Sequence, residues 1–113
     1  MMELTQTSSL LEKIRNLLVP VADSVFHYVS APNAIPPYIV WAEDGDSDLM
    51  SDDHHSERAL TGTIDFYTKQ ESDPIKDAIE QALESGGVAW YFNSFQYENE
   101  TGLLHFEWVW SVV

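Results

Sequence analysis

From Leu10 to Val21 the apolar residues fall at Leu10, Leu11, Ile14, Leu17, Leu18 and Val21, spacings of three and four that lay one stripe along a helix. Ser9 with Glu12 fits a capping box at its start, although Leu4 extends the stripe backwards and moves the start nearer Thr5. Pro20 disfavours helical backbone at Val19, so the helix is expected to end near Leu18. In "SVFHYVS" Val25, His27 and Val29 alternate with Phe26 and Tyr28, which predicts a short strand. "APNAIPP" is a turn-rich break, and "YIVWAE" follows as a second strand with Pro37 just before it. "ALTGTIDFYTK" has a clear period of two, Leu60, Gly62, Ile64 and Phe66 on one face and Thr61, Thr63, Asp65 and Tyr67 on the other. "SDPIKDAIEQALESGG" is a fully punctuated helix: Asp73 at the N-cap, Pro74 first, Ile75, Ala78, Ile79, Ala82 and Leu83 on one face, and Gly86 or Gly87 as the stop. "VAWYFNSFQYE" and "LLHFEWVWSVV" are two further strands around a turn at "NETG". In the last strand Leu104, Phe106, Trp108, Trp110 and Val112 point one way.

The predicted order is α-β-β-β-α-β-β. It implies an α+β fold: a mostly antiparallel sheet of four to five strands with two helices packed on one face, hairpins joining strands that follow closely. At 113 residues, 44% hydrophobic and 12% aromatic, residues 1–113 are read as a single domain with a real core. No run reaches the ~18 to 20 apolar residues of a membrane span, and no signal-like start precedes the first helix, so an intracellular, soluble protein is expected. The absence of cysteine excludes disulfides and thiolate chemistry.

Charge narrows the field further. The net value is −14, against only five lysines and arginines, so no basic stripe exists to neutralise a phosphate backbone and sequence-specific nucleic-acid binding is not expected. The acidic residues concentrate between Trp41 and Leu60, where two adjacent histidines also lie. Asp44, Asp46 and Asp48 copy the first alternating ligands of an EF-hand, but Leu49 replaces the turn glycine and His55 the bidentate glutamate. His54 and His55, as neighbours on an extended chain, point to opposite sides and are poorly placed to share an ion with Asp52, Asp53 or Glu57. The segment reads as a solvated interaction loop comprising Asp44, Asp46, Asp48, Asp52, Asp53, His54, His55 and Glu57, with no metal and no cofactor. No nucleophile stands beside a recognisable base and no catalytic motif is present, so no enzyme is expected. His27 and His105 sit in strand patterns and read as packed or surface histidines. Trp108 and Trp110 read as core beneath the helices. Val88, Trp90 and Phe92 lie on one face of their strand, with Phe95 and Tyr97 adding apolar surface beyond the needs of a lone domain. Trp90, Phe92, Phe95 and Tyr97 are therefore the candidate subunit contacts.

Taken together, "PYIVW" after a proline-rich turn, the acidic segment, "GTIDFYTKQESDPIKDAIEQAL" and the closing "YENETGLLHFEWVW" resemble the small tail-completion, or tail-terminator, proteins of long-tailed bacteriophages and prophages. The resemblance runs over most of the chain and rests on hydrophobic and turn positions. It implies a structural virion protein assembled in the bacterial cytoplasm, its copies forming a ring, typically a hexamer, that caps the tail tube and joins it to the head beside other tail or neck proteins. On that reading Asp44 to Glu57 are expected to be a flexible loop that faces the channel or the neighbouring tail protein and orders on assembly. The alternative is a monomeric acidic module that binds calcium or a basic protein, or mimics DNA.

Overall fold

The computed structural model of the chain describes residues 2–46 and 59–113, with side chains described for 9–44 and 59–113. The order is α1 (Met2–Leu18), β1 (Val25–His27), β2 (Tyr38–Asp46), β3 (Leu60–Thr68), α2 (Pro74–Ser85), β4 (Ala89–Glu98) and β5 (Leu103–Val112). The order and the α+β class match the hydrophobic pattern. Local signals explain α2 directly. The Asp73 carboxylate accepts from the Ile75 N–H at 2.9 Å and from the Thr68 hydroxyl at 2.7 Å, so one buried side chain both caps the helix and ties it to the end of β3. Pro74 opens the first turn, and Gly87 at φ 71° supplies the left-handed residue that lets the chain turn back. α1 instead begins at Met2, well before Ser9, so the expected capping box is not its start.

The strands form one five-stranded sheet in the order β1-β2-β3-β5-β4. Its central positions, Ile39 and Trp41 of β2, Ile64 and Phe66 of β3, and Phe106, Trp108 and Trp110 of β5, join Ile14 and Leu18 of α1 and Ile79 and Leu83 of α2 in one buried cluster. Both helices therefore cover the same sheet face, and Trp108 and Trp110 are core, as the alternation in β5 predicts. Each fully buried Leu, Ile or Phe side chain contributes roughly 1.5–3 kcal/mol. The Trp indoles also need polar partners in this layer. Trp108 Nε1 donates to Glu80 at 2.9 Å and Trp110 Nε1 to the Thr63 carbonyl at 3.0 Å. Gly62 makes room for Trp110: a Cβ there would stand 2.5 Å from the indole and 2.1 Å from the Ala42 carbonyl oxygen.

Three expectations are corrected. First, β1 stops at His27 and does not reach Val29, because Tyr28 adopts φ 77° and turns the chain out of the sheet. Second, β1 and β2 are parallel, with Val25 beside Ile39 and Trp41 beside His27. After Tyr28 the connection doubles back, so that the Ile39 N–H reaches the Ser24 carbonyl at 3.0 Å and β2 restarts level with β1. Third, β2 continues through Asp46, pairing Gly45 with Thr61 and Asp46 with Leu60 across an irregularity between Glu43 and Gly45. Asp44 and Asp46 therefore belong to a strand and not to a loop.

A second irregularity reshapes β4. Phe92 pairs with Trp108 and Ser94 with Glu107, leaving Asn93 as an extra residue. Odd and even positions exchange faces at that point. Trp90, Phe92, Phe95 and Tyr97, opposite Trp110, Trp108, Phe106 and Leu104, all lie on the helix-covered side, where plain alternation would split them between faces.

Candidate functional site

β4 is an edge strand of ten residues, and its side chains extend the core sideways beyond the cover that α2 supplies. Phe92 packs edge-on against Trp108 at 5.7 Å between ring centroids, and Phe95 lies 4.9 Å from Phe106. Lys76 of α2 reaches over both Phe92 and Phe106 at 5.8 Å, a cation on aromatic faces. Half the aromatic surface still meets water: Phe92 is 42% exposed, Phe95 50% and Tyr97 57%. Trp90 is partly covered, its indole N–H donating to Glu84 at 3.1 Å. Between α2 and this strand runs an open groove of about 390 Å³ lined by Asp77, Glu80, Gln81, Glu84 and Trp90. Glu80 is offset by Lys76 at 3.7 Å. The four contact candidates are thus gathered on one flank, rimmed by carboxylates.

The opposite flank is also apolar, which the hydrophobic pattern did not reveal. Val19, Tyr28, Val29 and Ile35, at the end of α1 and around β1, are exposed by 53%, 56%, 72% and 79%. With Tyr91, Phe92, Phe95 and Tyr97 on β4, and Val113 at the end of the chain, they make up the large exposed apolar side chains among the described residues. Ile35 stands inside the turn-rich break, where an apolar residue has no core to enter, while Val29, expected to continue β1, lies beyond its end. Here His27 stacks on Trp41 at 3.9 Å and under Tyr28 at 4.0 Å. Glu43 accepts from the Tyr28 phenol and pairs with His27 Nε2 at 2.8 Å. Burial pushes the Glu43 carboxyl up, but the bonds from Tyr28 and His27 outweigh it and hold the group below the usual carboxylate range. Arg15 of α1 lies over the Trp41 ring at 6.0 Å.

No described element covers the other sheet face. A row of rings crosses it: Phe26 and Tyr38 at 5.9 Å, Tyr38 and Tyr67 at 4.9 Å, Tyr67 and His105 at 4.3 Å. His105 Nε2 pairs with Asp65 at 2.7 Å, and its Nδ1 lies 3.2 Å from Glu98, near enough to attract but out of line for a hydrogen bond. Burial alone would lower the His105 pKa, yet the Asp65 hydrogen bond and the charges of Asp65, Glu98 and Glu107 raise it overall. Burial, then the charges of Asp65 and Glu98, push the Tyr67 phenol far up, so it stays protonated. His27 and His105 are therefore both carboxylate-paired, a role the strand pattern did not specify.

Of the acidic residues, Asp44 accepts from the Thr61 hydroxyl at 2.8 Å and Asp46 is held in the β2–β3 ladder. Asp48, Asp52, Asp53, His54, His55 and Glu57 lie outside the described residues. Among the described residues no group of three or more His, Asp or Glu is arranged to hold a metal ion, and no helix is long and apolar enough to cross a membrane. No protein-family model matches the chain, and no curated protein matches it.

Proposed function

We propose that the protein is a ring-forming structural subunit of a bacteriophage or prophage tail, a tail-completion or tail-terminator protein working at the junction of head and tail. The observation that carries this reading is the half-exposed aromatic strip of Phe92, Phe95 and Tyr97 on a free sheet edge. A lone copy leaves that surface in water, and sister copies would shield it. Net charge of −14 supports it from another side: an acidic channel wall lets DNA slide past without sticking. The reading places the protein in a virion assembled in the bacterial cytoplasm, with tail or neck proteins as neighbours and no catalytic step.

Sedimentation velocity over a wide concentration range, with electron micrographs of the largest species, tests it. The expected result is a concentration-dependent closed ring. A chain that stays monomeric at the highest concentration overturns the ring and favours the acidic binding module instead. Deleting residues 46–55 should leave a folded, ring-forming subunit that fails to join heads to tails. Normal joining by that deletion would remove the acidic segment from the assembly.

A further inference from the structure

We infer that copies associate head to tail, the β4 flank of one subunit seating on the β1 flank of the next. This rests on the ring reading and names the two surfaces of its contact. β1 and β4 are the two outer strands of the sheet, so apolar groups exposed beside one edge are separated from those beside the other by the width of the sheet. One is aromatic, Phe92, Phe95 and Tyr97; the other is largely aliphatic, Val19, Val29 and Ile35. A symmetric contact of β4 with its own copy would cover the first and leave the second in water. One contact covers both only if it joins unlike edges, and repetition of such a contact gives a ring where the rotation closes.

Charge selects the same arrangement. Asp77 and Glu84 line the groove at the β4 flank, and a symmetric β4 contact would bring each towards its own copy in a chain that already carries −14. Lys76 on the β4 flank is already taken up by Glu80, whereas the β1 side offers Arg15 over Trp41, with its own Glu43 engaged by His27 and Tyr28. The Asn93 bulge adds a third argument. It interrupts the backbone ladder a second β4 would need along the free edge, while leaving the aromatic face continuous.

Two blocked variants in the full-length chain test the contact. Phe95→Lys with Tyr97→Lys blocks the β4 flank, and Val29→Lys with Ile35→Lys blocks the β1 flank. Lysine avoids adding negative charge, and circular dichroism with thermal melting checks folding. Tyr97→Lys alone and Val19→Lys, single changes at exposed sites, serve if a double variant does not fold. Each variant alone should be monomeric where the unaltered chain assembles, with self-association at least tenfold weaker, and an equal mixture should form a dimer that grows no further. If the β1-blocked variant dimerises by itself, β4 pairs with β4 and the head-to-tail contact is wrong while self-association stands. If both variants assemble normally, or the mixture stays monomeric, the assigned surfaces are wrong. If the unaltered chain itself remains monomeric, the ring reading falls and this contact with it.

Discussion

His105 is the residue whose surroundings most clearly set a measurable property. Its ring is held between Asp65 and Glu98 on a sheet face that also carries Glu107, and burial is overcome by those charges, so its pKa in the folded chain lies above the free value. A raised folded pKa stabilises the fold fully below the unfolded value and ceases to do so once pH rises through the folded one. Denaturant midpoints should therefore fall as pH climbs above the ordinary histidine value of about 6.5. His105→Gln should flatten that slope, while a slope equal to that of the unaltered chain would show that the Asp65 pair carries no proton linkage. Tyr67 lies against the same ring at 4.3 Å, and with its phenol held protonated it adds no charge across this window. None of this could be read from "LLHFEW" alone, because Asp65 is brought beside His105 only by the β3–β5 register.

At the scale of elements, the packing of β2, β3 and β5 hinges on Gly62. A methyl there would meet the Ala42 carbonyl and the Trp110 indole far inside contact distance, and neither backbone nor a fully buried indole can move aside. Gly62→Ala is expected to cost about 3 kcal/mol or more, at the upper end of overpacking changes, read as a lowered urea midpoint with an unchanged slope. The helices, the three long strands of the middle and end of the chain, and the Trp core were legible because each declares itself within a dozen residues: caps and glycines for α2, strict alternation for β3 and β5. What escaped was set at a distance or by a single backbone angle. The parallel pairing of β1 depends on Tyr28 leaving the sheet at positive φ, and a tyrosine gives no local warning of that. The phase change in β4 depends on Asn93 being accommodated as an extra residue, its amide donating to Glu107 at 2.9 Å. The candidate contacts were recognised by their chemistry, but their gathering on one face was not. The β1 flank is not legible because Ile35 sits in a segment whose prolines and asparagine mark only a turn, and Val29 reads as part of a strand that Tyr28 in fact ends.

Over the whole molecule, the proposed self-association would have to work against like charge. Copies carrying −14 each repel at distances comparable with the Debye length, about 10 Å in 0.1 M salt, whereas apolar contact is little weakened by salt. Raising salt from low to moderate strength should therefore tighten self-association, as a shift of the sedimentation boundary at fixed protein concentration; loosening would mean that ion pairs dominate the contact. The Asn93 bulge has one more consequence, for what this chain is prevented from becoming. Removing that single residue leaves Phe92, Ser94 and Phe95 in plain alternation, so the excised chain should still fold with the same side chains inward. Its margin, however, would be straight and evenly studded with backbone donors and acceptors, a template on which strands from any copy could add without limit. Excision of Asn93 is thus expected to yield fibres or precipitate, measurable by light scattering, where the unaltered chain, on the proposed ring reading, stops at a countable number of copies.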